Sequence, residues 1–236
     1  MCGPSSIKSA SRILAVYGTE MGSTKVEAKK IVETWENNNL SVEFLEGNEA
    51  ADIFDTITPE KYDLLVVFTS SYGDGDAPSG YGKFLYKIYE AAKKGKNPMS
   101  GLEHSVLGFG STAYYTFQNV PRLTDRLLEQ SGSRRFLKRV EIDEMEDLDA
   151  NEKKIQTWTD SVMKHSTDSK DTAKIPSVCE WTEPESEVYE KKLGPDGYEL
   201  GSGPGQMGDT FAMAAIVGVV VAGVVYYWYN QDPDSV

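Results

Sequence analysis

Three apolar runs at residues 12–17, 63–69 and 105–109 each lead into a short turn rich in glycine and hydroxyl groups. The turns read Gly18-Thr19-Glu20-Met21-Gly22-Ser23-Thr24, Ser71-Tyr72-Gly73-Asp74-Gly75-Asp76 and Gly108-Phe109-Gly110-Ser111-Thr112-Ala113-Tyr114. From Leu64 to Phe68 no residue is polar, as expected of a central parallel strand covered on both faces. Helical spacing follows the turns: Val26, Ile31, Val32 and Trp35 within 23–37, then Phe84, Leu85, Ile88 and Tyr89 within 82–92. A further helix is expected over 121–130 with Pro121 at its start, and a last one over 148–163 with Ile155, Trp158 and Val162 inward. Residues 41–45 and 136–142 supply two more strands. Strands alternating with helices in this way predict an α/β fold, a five-stranded parallel sheet with helices on both faces. Ligands of such sheets bind beyond the carboxyl ends of the strands, which is where all three turns fall.

Composition narrows the functional classes. The chain has 236 residues, 39% of them apolar, enough for one core with roughly seventy residues left over. A net charge of −13 argues against nucleic-acid binding, which needs clustered Lys and Arg, and favours basic partners. Cys2 and Cys179 lie far apart and do not suggest a disulfide framework. The expected organisation is a disordered segment at 1–11, the α/β domain at 12–165, an acidic flexible linker at 166–210, a membrane span at 211–229 and a short tail at 230–236. The span rests on nineteen uncharged residues, about 28 Å of helix, ending in Tyr226, Tyr227, Trp228 and Tyr229. That predicts a single-pass tail anchor with the domain in the cytosol. The endoplasmic reticulum is the expected membrane, because the tail lacks basic residues, with the mitochondrial outer membrane as the alternative.

Thr19, Ser23 and Thr24 offer hydroxyls, and Gly22 lets the backbone approach closely, so the first turn suits a terminal phosphate at a helix start. No Lys stands at Walker spacing, which argues against a nucleoside triphosphate. Tyr72 and Tyr114 could hold a flat heterocycle between them, and Gly73 leaves its peptide free to turn.

The order and content of these turns resemble the flavodoxins, most closely the FMN-binding domain of diflavin reductases such as microsomal cytochrome reductase and nitric oxide synthase. The resemblance covers residues 12–165 and rests on three motifs in register: the first turn, the Tyr72-Gly73-Asp74-Gly75 turn and the run from Gly108 to Phe117. Asp143-Glu144 and Trp158 look like the family's closing segment. The resemblance implies non-covalent FMN. Thr19, Gly22, Ser23 and Thr24 would surround its phosphate, Tyr72 and Tyr114 would stack on the ring, and Gly73 and Gly110 would lie near its polar edge. Glu20, Met21, Ser71, Asp74, Gly75, Gly108, Phe109, Ser111, Phe117 and Asp143 complete the cofactor-binding set that the resemblance implies. It also implies a Gly73 carbonyl able to turn toward flavin N5. Met21 departs from the family, which commonly has Thr there; one lost hydrogen bond to a phosphate is worth ~1.5–3 kcal/mol, or tenfold or more in affinity.

Blander readings compete at several positions. The run 141–149 holds six acids in nine residues and is either a solvated face or a docking surface for a basic redox partner. His104 and His165 lack companion ligands at metal spacing and read as structural or exposed, so no metal is expected. Ala214, Gly218 and Ala222 form a small-residue ladder suited to packing another membrane helix. The expected function is a membrane-anchored carrier of single electrons. It would take them from a separate NAD(P)H-dependent reductase and pass them to a haem protein or desaturase, acting as an oxidoreductase only together with that reductase. The rivals are a flavodoxin-like quinone reductase and a non-catalytic membrane adaptor.

Overall fold

In the computed structural model, residues 11–73, 75–95 and 97–167 are described. Six parallel strands form one sheet: β1 (Arg12–Tyr17), β2 (Ser41–Glu46), β3 (Leu64–Ser70), β4 (Glu103–Gly110), β5 (Arg134–Arg135) and β6 (Val140–Asp143). Five helices connect them: α1 (Ser23–Asn37), α2 (Gly47–Asp52), α3 (Gly82–Lys94), α4 (Asn119–Gln130) and α5 (Leu148–Thr167). The spatial order is β2-β1-β3-β4-β5, with β6 also on β4. The chain changes direction across the sheet between β1 and β3, and such a reversal opens a crevice beyond the strand carboxyl ends.

Period-two alternation along the strands divides the core. Leu14, Val16, Leu65, Val67 and Val106 face α2, α3 and α4, which contribute Ala50, Phe84, Leu85, Ile88, Leu123 and Leu127. Ile13, Ala15, Val66, Phe68 and Leu107 face α1 and α5, which contribute Ala28, Ile31, Val32, Trp35, Trp158 and Val162. On this second face Trp35, Phe68 and Trp158 pack with ring centroids 5.6–6.0 Å apart. The Trp158 indole N–H donates to Ser105 Oγ at 3.0 Å, so its burial leaves no orphan donor. Trp158→Ala is expected to cost about 3–5 kcal/mol, read as a lower urea midpoint at unchanged m.

Two expectations about the sheet change. The fifth strand, expected over 136–142, is divided: β5 pairs with Glu103 and His104, and β6 pairs with Leu107 to Gly110, with the pairing offset two residues longer. The Phe136 N–H still donates to His104 O at 3.1 Å, and regular pairing then lapses until Val140. Phe136 stacks on His165 with centroids 4.4 Å apart, and Arg139 reaches Asp125 on α4 at 2.7 Å. Between β2 and β3, the unexpected helix α2 starts with a capping box formed by Glu46 and Glu49 and runs into a 3-10 turn at Phe54–Thr56. Val26 is 58% exposed rather than inward.

The membrane expectation is corrected. Among the described residues no helix is long and apolar enough to cross a membrane. The longest, α5, has 20 residues and is studded with charge: Asp149, Glu152, Lys153, Lys154, Asp160 and Lys164. The expected span at 211–229, its small-residue ladder, the linker beyond Thr167 and the segment before Ser11 lie outside the described residues. The tail anchor, the single-pass topology, the endoplasmic reticulum or mitochondrial location and a membrane-bound function are therefore withdrawn.

Candidate functional site

The turns after β1, β3 and β4 stand side by side, because these three strands are neighbours and run in the same direction. In the first turn Gly18 donates its N–H to Phe68 O at 2.8 Å. A Cβ on Gly18 would lie 2.6 Å from the Tyr81 side chain and 2.7 Å from Thr69 Oγ1, so only glycine fits there. Thr19 Oγ1 accepts the Gly22 N–H at 2.9 Å and closes the turn. Gly22 stands at the N-cap of α1 with φ of 93°, a conformation that suits glycine. No side chain caps α1 and its first turn holds no acid, so the orphan N–H groups are offered together with the positive end of the helix dipole. Thr24 is buried beneath them, whereas Ser23 is exposed. This is an anion cradle in composition and in backbone conformation.

Two more residues of the expected cofactor-binding set stand in this turn. Glu20 accepts the Ser79 N–H at 2.8 Å and acts as a strut between the first turn and the segment leading into α3. Met21 is 76% exposed and fills no part of the core.

The second turn is a tight reversal. Tyr72 and Asp76 exchange backbone hydrogen bonds of 2.8 and 2.7 Å, which requires positive φ at Gly73 (51°) and Gly75 (91°). Ser71 Oγ accepts the Val120 N–H at 3.0 Å and so ties this turn to the start of α4. Asp74 lies outside the described residues.

In the third turn Gly108 is required by contact and Gly110 is closely approached. A Cβ on Gly108 would collide with Gln118 Oε1 and Pro121, and one on Gly110 would sit 3.1 Å from the Phe117 ring. Phe117 therefore buttresses the turn from behind, with the Arg122 guanidinium over its ring at 5.9 Å, and Phe109 packs on the α1/α5 core. Ser111 is buried and accepts the Tyr114 N–H through its carbonyl at 3.1 Å. Tyr72 and Tyr114 remain 39% and 47% exposed.

Asp143, expected at the cofactor, fastens the third turn. It accepts hydrogen bonds from Thr112 N–H (2.9 Å), Thr112 Oγ1 (2.7 Å) and Met145 N–H (3.0 Å). Burial pushes its carboxyl up, but these bonds outweigh burial and hold it below the usual carboxylate range. Other acids of the 141–149 run are also occupied. Glu141 pairs with Arg122 and Arg139, Asp147 accepts the Ala150 N–H at the start of α5, and Glu146 pairs with Lys154. Glu144 and Asp149 remain exposed, and among the described residues no cluster of metal ligands exists. Both histidines are structural: His104 is fully buried between Ser133 and Asp125, and His165 bonds Glu103.

Sequence reading missed Thr112, Thr116 and Gln118, which join the turns to one another and to β6. Gln118, at φ 62°, donates to Ile142 O at 3.3 Å, and Thr116 Oγ1 donates to Gly73 O at 3.3 Å. Thr112 and Thr116 stand within the Gly108–Phe117 run, but nothing local marks their partners, since each of the three acts on a residue distant in sequence.

Comparison with known proteins agrees with this arrangement. A protein-family model described as Flavodoxin matches residues 16–158. The chain is 30% identical over 136 residues to NADPH oxidoreductase A of Dictyostelium discoideum, covering 56% of this chain and 20% of that one. It is 29% identical over 145 residues to methionine synthase reductase of Caenorhabditis elegans, covering 61% of this chain and 20% of that one. It thus spans about a fifth of the length of these relatives. Oxidised flavodoxin 1 of Bacillus cereus superposes with a TM-score of 0.53 at 20% identity, over 66% of this chain and 99% of that one, a likeness of fold.

Proposed function

The chain belongs to the flavodoxin family, and from that premise we propose that it binds FMN and carries single electrons between an NAD(P)H-dependent reductase and a second redox protein. The observation that carries the reading is the convergence of an uncapped helix start at Gly22 with two half-exposed tyrosines from the neighbouring turns. The residues present fit FMN. The N–H groups at the start of α1, with the hydroxyls of Ser23 and Thr24, would hold its phosphate, while Thr19 closes the turn around them. Tyr72 and Tyr114 would cover the ring, with Gly73 and Gly110 near its polar edge. Asp74, Gly75, Ser71, Gly108 and Ser111 belong to the same two turns.

When bound, FMN supplies chemistry in one-electron steps. The chain's own residues bind, orient and shield. Tyr72 and Tyr114 present apolar faces that keep water from a ring between them. Asp143 fixes the third turn through Thr112, and Glu20 fixes the first through Ser79. No general base or nucleophile is required of the site. Met21, Tyr115 (86% exposed), Met145 and Leu148 are exposed apolar side chains, and Glu144 and Asp149 are exposed acids. That combination suits a partner with a basic rim.

The same exposure of the tyrosines would admit a small flat substrate, so a quinone reductase is the second reading. The two separate in one assay with the purified FMN-loaded full chain. A carrier oxidises NADPH only when a reductase such as the NADPH-dependent flavoprotein of a P450 system is added. Rapid NADPH oxidation coupled to quinone reduction by the chain alone would contradict the carrier reading.

A further inference from the structure

Between the second and third turns one hydrogen bond has no role in shaping either turn. Thr116 Oγ1 donates to Gly73 O at 3.3 Å, across 43 residues of sequence. The Tyr72–Asp76 reversal is already closed by its own backbone bonds, and the third turn is already closed by the Ser111–Tyr114, Tyr114–Phe117 and Thr112–Asp143 bonds. Thr116 is 3% exposed, so water does not readily replace its hydroxyl, whereas Gly73 is exposed. The bond is also long for O–H···O, so it is a latch that can open. Gly73, at φ 51° and without a Cβ, can turn its carbonyl at small steric cost.

We propose that Thr116 is a positioning residue that holds the Gly73 carbonyl and thereby sets how strongly the chain favours a one-electron-reduced flavin. The proposal rests on the FMN reading above. Oxidised flavin presents N5 as an acceptor only. After one electron from an external donor and one proton from solvent, N5 carries an N–H and needs an acceptor. The Gly73 carbonyl can serve once its peptide turns toward the ring, and that turn carries it away from the Thr116 hydroxyl and breaks the 3.3 Å bond. Thr116 therefore competes with flavin N5–H for one oxygen and lowers the yield of the one-electron form.

The test is stepwise photoreduction of the FMN-loaded full chain, with the fraction of one-electron-reduced flavin read from its visible spectrum at half-reduction. In Thr116→Val and Thr116→Ala the equilibrium constant for forming that species is expected to rise about two- to fivefold, the worth of one weak hydrogen bond. Thr116→Ser, which keeps the hydroxyl, should stay at the wild-type value. A loss of packing alone would not raise the constant and spare the serine variant. If Val and Ala variants bind FMN normally and show the wild-type constant, or if Ser shifts as they do, the assignment of Thr116 is wrong. If the wild-type chain itself takes up no FMN, the cofactor reading falls, and the Thr116 assignment with it.

Discussion

The double replacement of Tyr72 and Tyr114 by alanine is expected to weaken FMN binding by about 30-fold to about 20,000-fold. Stacking of a flat heterocycle on an aromatic side chain is worth ~1–3 kcal/mol, and two plates on opposite faces do not share a contact, so their losses should add. The thermal midpoint of the apoprotein should hardly change, because both rings are among the exposed aromatics and lie outside both core clusters. Quenching of flavin fluorescence on titration with the full chain measures the affinity. Each single variant should show part of the loss, and wild-type affinity in both would remove the tyrosines from the site.

The largest stability effect is expected from Asp125→Ala. Asp125 is a buried carboxylate that joins three cations: Arg135 at 2.8 Å, Arg139 at 2.7 Å and, when protonated, His104 at 3.3 Å. Burial pushes its pKa up, but hydrogen bonds and charge from His104 and Arg135 prevail and bring it down to about 2. Removing the carboxylate leaves two buried guanidinium groups without their common partner, which costs about 3–5 kcal/mol. Urea melts of the wild type and variant at neutral pH measure this directly, and a difference under about 1 kcal/mol would show that the remaining acids Glu129 and Glu141 suffice.

The same cluster gives the protein an acid-side pH dependence. His104 is fully buried, and burial lowers its pKa despite the pull of Asp125. A histidine depressed in the folded state binds fewer protons than in the unfolded chain, so stability is lost as pH falls below the ordinary histidine pKa of about 6.5. Asp125 is likewise depressed. Its contribution is complete above the ordinary aspartate pKa and disappears as pH falls toward about 2. Unfolding free energy should therefore decline in two stages on acidification, and His104→Asn should remove the first stage while keeping the second.

The strands and glycines were legible because their signals are local. Leu64 to Phe68 is apolar throughout and became the central strand β3, and each expected turn follows a strand. Gly18 and Gly108 stand where Tyr81 and Gln118 approach the backbone, a reason visible only once α3 and α4 are in place. The division of the fifth strand was not legible, because the shift in pairing offset between β5 and β6 leaves no mark in the local apolar pattern. Side-chain roles were the least legible. Asp143 and Glu20 stand in segments that suggested cofactor contacts, and both also make structural bonds, Asp143 with Thr112 and Glu20 with the Ser79 amide. The acidic run 141–149 combined both competing readings: Glu141, Asp143, Glu146 and Asp147 have structural partners, and Glu144 and Asp149 remain on the surface.

The central claim is that the cradle at α1 and the two tyrosines form one FMN site. It is tested most directly by titrating FMN with the purified full-length chain and following flavin fluorescence and visible absorbance together. The account predicts saturable binding of one FMN per chain, with quenched fluorescence from the stacked tyrosines and with affinity sharply reduced when the phosphate is absent, as in riboflavin. A chain that remains colourless and leaves FMN fluorescence unchanged, or that binds riboflavin as tightly as FMN, would contradict it.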